Sequence, residues 1–201
     1  MQGPTRTIQI GVLVFEGADE LDVVGAFEPV AKAARCAEHQ PRLAPPRLFG
    51  PTSDVTCSNG LRLGPVEPSS ASASCDALVV PGGAGARDAM ACEDLTSAVR
   101  DTYLRGGPVY SVCSGSFLLA AAGVLDGHHV AVHRAKTAQL RQLCGPGVTV
   151  SSAGLVEDGQ LTSAGGEGAG VKALAIGFSI IRRFAPSCLE CISARMEVRM
   201  I

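Results

Sequence analysis

The chain has 201 residues, 46% of them apolar and 18% charged, and its 17 basic and 19 acidic side chains leave a net charge of −2. That length suits one domain with a substantial core, and the composition excludes a disordered chain. Neither a basic block nor aromatic–basic interleaving occurs, so nucleic acid is not expected as a partner.

The opening "MQGPTR" leads straight into "TIQIGVLVF" (7–15), which reads as a buried strand. This run is too short and too β-branched for the apolar core of a secretory leader, and a cytosolic location is expected. A helix is expected over 24–37 with Asp22 just ahead of it, where an aspartate most often caps. Asp19 and Glu20 read as solvated, and Glu28 with Lys32 as an ordinary i,i+4 surface pair. Residues 38–74, rich in Pro and Ser, read as short strands and turns, with "SNGLRLGP" (58–65) as a hairpin arm. Next come a strand in "CDALVVPGG" (75–83), a helix over 87–105 and the stretch "GGPVYSVCSGSFLLAAAGVL" (106–125).

That stretch carries no charge and matches the roughly 20 residues of a membrane span. Its Gly-Gly-Pro start and central serines instead predict a strand over 106–112, a sharp turn at Cys113-Ser114-Gly115, and a helix over 114–123. No membrane association is expected. Strand signals follow at "HHVAVH" (128–133), "VTVSSAGLV" (148–156) and "GQLTSAGG" (159–166), with helices over 134–144 and 168–184. The last helix places Val171, Leu174, Ala175, Phe178 and either Ile181 or Ile180 on one face. Apolar strands alternating with helices predict a mostly parallel α/β sheet covered on both faces. Residues 1–201 read as a single domain without internal repeat or linker.

Ligands of such sheets bind beyond the carboxyl ends of the strands, which selects Phe15–Asp22, Pro81–Gly85, Cys113–Ser116 and His133. Cys113 at a strand–turn–helix junction reads as a nucleophile. A helix N-terminus can lower a thiol from about 8.5 toward ~3.5–7.5. The loop "PGGAG" (81–85) can offer backbone N–H groups to an oxyanion or carboxylate. It is no nucleotide fingerprint, since neither G-x-G-x-x-G nor a P-loop is present. Asp22 is placed to face Cys113 and act as general acid, then base. His133 can complete a Cys–His–acid arrangement, or serve as a structural strand-end histidine. His39 falls in the irregular region, and His128 and His129 in a turn. Most of the eight cysteines read as small buried hydrophobes in a reducing compartment, and "SCLEC" (187–191) meets neither a zinc nor a redox pattern by itself.

"IGVLVFEGADELDVVGAFE", "DALVVPGGAG", "VYSVCSGSFLLAAAGVLDGHHVAVH" and "LTSAGGEGAGVKALA" together resemble the ThiJ/PfpI superfamily over about residues 7–185. Within it they are most similar to isonitrile (isocyanide) hydratases and to the amidotransferase-like domains of arabinose-operon-type regulators. The resemblance implies a flavodoxin-like sandwich with a nucleophile elbow, a homodimer, and cofactor-free chemistry on a small molecule. It places the nucleophile on Cys113, the essential aspartate on Asp22, a hydroxyl after the cysteine on Ser114, an N–H facing the cysteine on Gly83, and the family histidine on His133. The chain departs from the pattern at "FEG" (15–17), at Gly25-Ala26, at Arg134 in place of tryptophan, and at Lys172 in place of aspartate. The H-x-E pair of glutamine amidotransferases is absent, since Arg134 and Ala135 follow His133.

The implied reaction is hydration of an isonitrile to an N-substituted formamide. A glyoxalase- or deglycase-like activity on α-oxoaldehydes is the alternative, with Asp22 standing where that branch tends to carry glutamate. A non-catalytic ligand sensor and a redox sensor oxidised at Cys113 are the others. The absence of a helix-turn-helix pattern before Ile201 speaks against a complete regulator.

Overall fold

The computed structural model describes residues 6–37, 42–166 and 171–198. In chain order the first strands are β1 (Ile10–Leu13), β2 (Arg47–Gly50), β3 (Val55–Thr56), β4 (Arg62–Leu63), β5 (Glu67–Pro68) and β6 (Ala77–Val80). They are followed by β7 (Val109–Val112), β8 (His129–Ala131), β9 (Thr149–Ser151), β10 (Val156–Asp158) and β11 (Leu161–Ala164). The helices are α1 (Glu20–Ala34), α2 (Ala86–Ala89), α3 (Glu93–Leu104), α4 (Ser116–Ala121), α5 (Thr137–Cys144), α6 (Lys172–Phe184) and α7 (Leu189–Arg195).

A seven-stranded sheet in the order β10-β11-β7-β6-β1-β2-β5 forms the centre, with every neighbouring pair parallel except β10–β11. Every residue of β1, β6, β7 and β11 is buried, as expected of strands covered on both faces. α1, α6 and α7 pack on one another, and α3 packs with α4. The architecture is the mostly parallel, covered α/β sheet that the alternating pattern predicts, in the flavodoxin-like form that the resemblance implies. Among the described residues no helix is long and apolar enough to cross a membrane, and the 106–125 run divides into β7, a turn and α4.

Several elements differ from the sequence expectation, each for a local reason. α1 begins at Glu20, because Asp19 Oδ1 accepts from the N–H of Leu21 (3.0 Å) and of Asp22 (3.2 Å). Asp19 is therefore the cap, and Asp22 lies inside the first turn. The carboxylate of Glu20 accepts from the Asn59 N–H (2.6 Å) and the Asn59 side chain (2.8 Å), holding the β3–β4 hairpin against α1. The helix expected over 87–105 is broken into α2 and α3, the second opening with Glu93 and Asp94, which favour a helix N-terminus.

β8 does not join the main sheet; it pairs in parallel with β9. Side chains replace the ladder at Ala131: its N–H donates to Ser163 Oγ (2.7 Å) and its carbonyl accepts from Ser116 Oγ (2.7 Å). The expected strand over 148–156 likewise divides into β9 and β10.

Of the expected face of α6, Phe178 and Ile181 are buried, Leu174 and Ala175 are half-buried and Val171 is 40% exposed, while Ala173, Ile176, Gly177 and Ile180 extend the buried surface. Close approach of α1 sets this face. A Cβ built on Gly177 would lie 2.8 Å from Pro29 Cγ and 3.0 Å from the Ala26 carbonyl, and one on Gly25 would lie 2.8 Å from Ala173 Cβ. The two helices thus touch backbone to backbone, and their first turns carry Asp22 and Lys172 to the same place. Gly177→Val is expected to lower unfolding stability by about 2–3 kcal/mol in denaturant melts, the scale of core overpacking. A loss below about 0.5 kcal/mol, the range of surface changes, would contradict this close contact.

Candidate active site

After β7 the chain turns through Cys113–Gly115 as a single 3-10 turn and enters α4. Cys113 has φ +57°, the left-handed region that non-glycine residues enter at a cost of about 1–3 kcal/mol. The turn stays in this form because the 81–83 loop is pressed against it without intervening side chains. A Cβ on Gly82 would lie 2.8 Å from Cys113 Cβ, and one on Gly115 would lie 2.2 Å from the Val80 carbonyl. Ser114 locks the contact: its Oγ accepts from the Gly83 N–H (3.0 Å) and donates to the Gly83 carbonyl (3.2 Å). The Gly83 N–H is therefore committed to the Ser114 hydroxyl instead of facing the sulfur as expected. The backbone N–H of Ser114 acts on the Cys113 sulfur, favouring the thiolate.

Asp22 is only 2% exposed, and its Oδ2 accepts from the Gly82 N–H at 3.1 Å. Lys172 places Nζ 3.8 Å from Asp22 Oδ1. Burial pushes the Asp22 carboxyl up to about 6, with Lys172 pulling down, Asp19 pushing up and the Gly82 N–H pulling down. Lys172 also acts on the Cys113 sulfur, favouring the thiolate. Burial works against the ammonium, but Asp22 and Cys113 beside it hold its pKa above the ordinary lysine value.

The thiol differs in direction from the sequence expectation. Burial, and then the charge of Asp22, raise the Cys113 pKa, while Lys172 and the Ser114 N–H oppose them. The helix that was to lower it has only six residues and starts at Ser116. Its terminal field is weaker than the buried carboxylate beside the sulfur.

Beside this group lies a cleft of about 330 Å³, with His133, Arg134, Gly165, Gly166 and Lys172 on its walls and the exposed Leu21 and Val171 at its rim. His133 thus reaches the cleft, and its Nδ1 accepts from the Ala135 N–H at 3.2 Å, capping the turn at 134–136. The other histidines serve elsewhere. The His128 ring meets the Tyr103 hydroxyl (2.8 Å) and that of His129 meets Ser151 Oγ (2.9 Å), while His39 lies outside the described residues. The structure brings Cys113, Asp22, Ser114 and Gly83 together, with the Gly83 N–H turned to Ser114. Lys172 is the member that sequence reasoning took only as a departure in the glycine loop. A lysine opening a helix, where a cation is disfavoured, is the local signal that could have flagged it.

Comparison with known proteins identifies the family. The sequence pattern of the DJ-1/PfpI family matches residues 8–175. The chain is 32% identical over 164 residues to an isonitrile hydratase of Pseudomonas putida, spanning 82% of this chain and 68% of that protein. DJ-1beta of Drosophila melanogaster superposes with a TM-score of 0.81 at 19% identity, over 96% of this chain and 100% of that one. A ThiJ/PfpI family protein of Pseudomonas syringae superposes with a TM-score of 0.77 at 25% identity, over 97% and 76%. The matched span takes in the elbow, the buried aspartate and the opening of α6, and the chain belongs to the DJ-1/PfpI family.

Proposed function

We propose that the protein is a cofactor-free cysteine enzyme that hydrates an isonitrile to an N-substituted formamide. The observation that carries the reading is the strained elbow cysteine within reach of one buried carboxyl and one lysine. The likeness to an isonitrile hydratase supports it. In this reading the protein works as a homodimer in the cytosol, as the family resemblance implies.

The raised thiol and raised carboxyl pKa values define the working form: a single proton shared by Cys113 and Asp22, with Lys172 balancing the one negative charge wherever it resides. Asp22 takes the thiol proton, and the thiolate attacks the terminal isonitrile carbon. The protonated Asp22 then gives its proton to that carbon, leaving a thioimidate on Cys113. Asp22, ionised again, removes a proton from an attacking water and passes it to the imidate nitrogen. The tetrahedral adduct then collapses to the formyl C=O, its hydroxyl proton going by way of Asp22 to the departing Cys113 sulfur, which releases the formamide. The Ser114–Gly83 hydrogen bonds hold the sulfur in the attacking geometry. The exposed Leu21 and Val171 at the cleft rim suit an apolar substituent on the substrate.

Incubation with an alkyl isonitrile should yield the N-alkylformamide by NMR, with no turnover in Cys113→Ala and about 10²–10⁴-fold less in Asp22→Asn. The kcat/KM profile should rise through about pH 6 as Asp22 ionises, fall above the thiol pKa, and lose its acid limb in Asp22→Asn. Turnover surviving in Cys113→Ala would exclude this mechanism. Formation of a 2-hydroxy acid from an α-oxoaldehyde, without formamide from isonitriles, would favour the glyoxalase-type alternative.

A second expectation concerns stability. The folded pKa of Asp22 lies above the unfolded value, so the native state binds the extra proton and stability falls as pH rises from about 4 to about 6. Asp22→Asn should abolish that slope and stabilise the protein at pH 7 by about 2 kcal/mol, after allowance for the lost partner of Lys172. Denaturant melts at pH 4 and pH 7 measure both; a variant less stable than wild type at pH 7 would mean that the ion pair outweighs the burial cost.

A further inference from the structure

The C-x-x-C pair at Cys188 and Cys191 had no partner in the sequence. The fold supplies one. Cys36 follows the end of α1, and its Sγ lies 3.9 Å from that of Cys191. Cys188 closes the turn leading into α7, and burial, then Cys36 beside it, push its thiol up. One sulfur just beyond the end of α1 therefore neighbours both sulfurs of the motif, remote from them in sequence. Cys36 and Cys188 are 2% and 0% exposed, whereas Cys191 is half-buried and is the thiol that a reagent can meet.

A groove of about 570 Å³ runs beside this cluster between α1 and the end of α7, with Lys32, Arg35 and Arg195 among its lining residues. Glu28 pairs with Lys32 at 3.4 Å, which leaves the two arginines as the positive charge facing the groove among its described lining residues. Arg35 directly precedes Cys36, and Arg195 stands one helical turn beyond Cys191 on the same face. Thiols flanked by guanidinium groups favour an anionic reagent.

We propose that Cys36 and Cys191 form a thiol–disulfide exchange site that accepts anionic low-molecular-weight disulfides of the glutathione type. Cys191 loses its proton to solvent and attacks one sulfur of the reagent, breaking its S–S bond and expelling one thiolate, which takes up a proton. Cys36, deprotonated in turn, attacks Cys191 Sγ in the mixed disulfide and expels the second thiolate. Two protein thiols and one disulfide become one protein disulfide and two free thiols; the two cysteines are oxidised and the reagent is reduced. Closing the 3.9 Å gap to a bonded distance near ~2.05 Å asks for a shift of about 2 Å at a helix end and a short helix. The product ties α7 to α1, the helix that carries Asp22, while Cys188 stays a thiol.

The test treats the protein with glutathione disulfide, blocks remaining thiols and maps peptides without reduction. The expected result is a Cys36–Cys191 cross-link in the wild type and in Cys113→Ser, with a rise in Tm of about 5–10 °C, the scale of a disulfide closing a long loop. Cys36→Ser should stall with one glutathione on Cys191. Arg195→Glu should slow the reaction about 10-fold with glutathione disulfide and leave the rate with uncharged hydroxyethyl disulfide unchanged. Should a variant fail to fold, the kinetics of the protein with Cys113→Ser as its sole change decide: Cys191 must react faster than Cys92 and Cys144, the other half-buried thiols outside the elbow. Equal rates for the three, or a cross-link from Cys36 to Cys188 instead, would overturn the assignment.

Discussion

Asp22 and Lys172 face each other at the junction of α1 and α6, and both act on the Cys113 sulfur. A carboxyl that is 2% exposed does not ionise there unaided, and an ammonium does not sit there without a partner. The pair is therefore a constraint on the whole fold. It holds only while α1 and α6 meet closely enough for Gly25 to touch Ala173 and Gly177 to touch Pro29. It also needs the Gly82 N–H to reach Asp22 from the loop after β6. Three elements distant in sequence are positioned by one buried charge.

The elbow has the same character. Cys113 occupies a backbone region that costs energy, and the surrounding structure over-determines it. Gly115 lies under the Val80 carbonyl, Gly82 lies against the cysteine itself, and Ser114 exchanges two hydrogen bonds with Gly83. Small residues here are packing requirements as much as turn-formers. The strain and the buried carboxyl both lower stability at the same place in the fold.

Much of this was legible in the sequence because it rests on local pattern. Continuous β-branched runs fix β1, β6 and β7, and the break from "PVYSV" to "FLLAA" marks the elbow without any contact being known. What stayed hidden depends on partners far along the chain. Asp19 and Asp22 are chemically alike, and only the hydrogen bonds to Leu21 and Asp22 decide which one caps. The strand at 129–131 leaves the main sheet because Ser116 and Ser163 take its backbone bonds. The face of α6 is centred on a glycine, which a count of large apolar residues passes over. The direction of the Cys113 shift needed the position of a carboxylate 91 residues away, set against a helix too short to compensate.

The central claim is that Asp22 and Lys172 govern the ionisation of Cys113 in opposite senses. The direct test is the rate of alkylation at Cys113, followed by mass spectrometry of its peptide across pH, in the wild type, Asp22→Asn and Lys172→Met. The account predicts a wild-type thiol that titrates above the ordinary cysteine range, a profile displaced to lower pH in Asp22→Asn, and one displaced to higher pH in Lys172→Met. Profiles that coincide in all three proteins would show that neither charge reaches the sulfur, and the account of the site would be wrong.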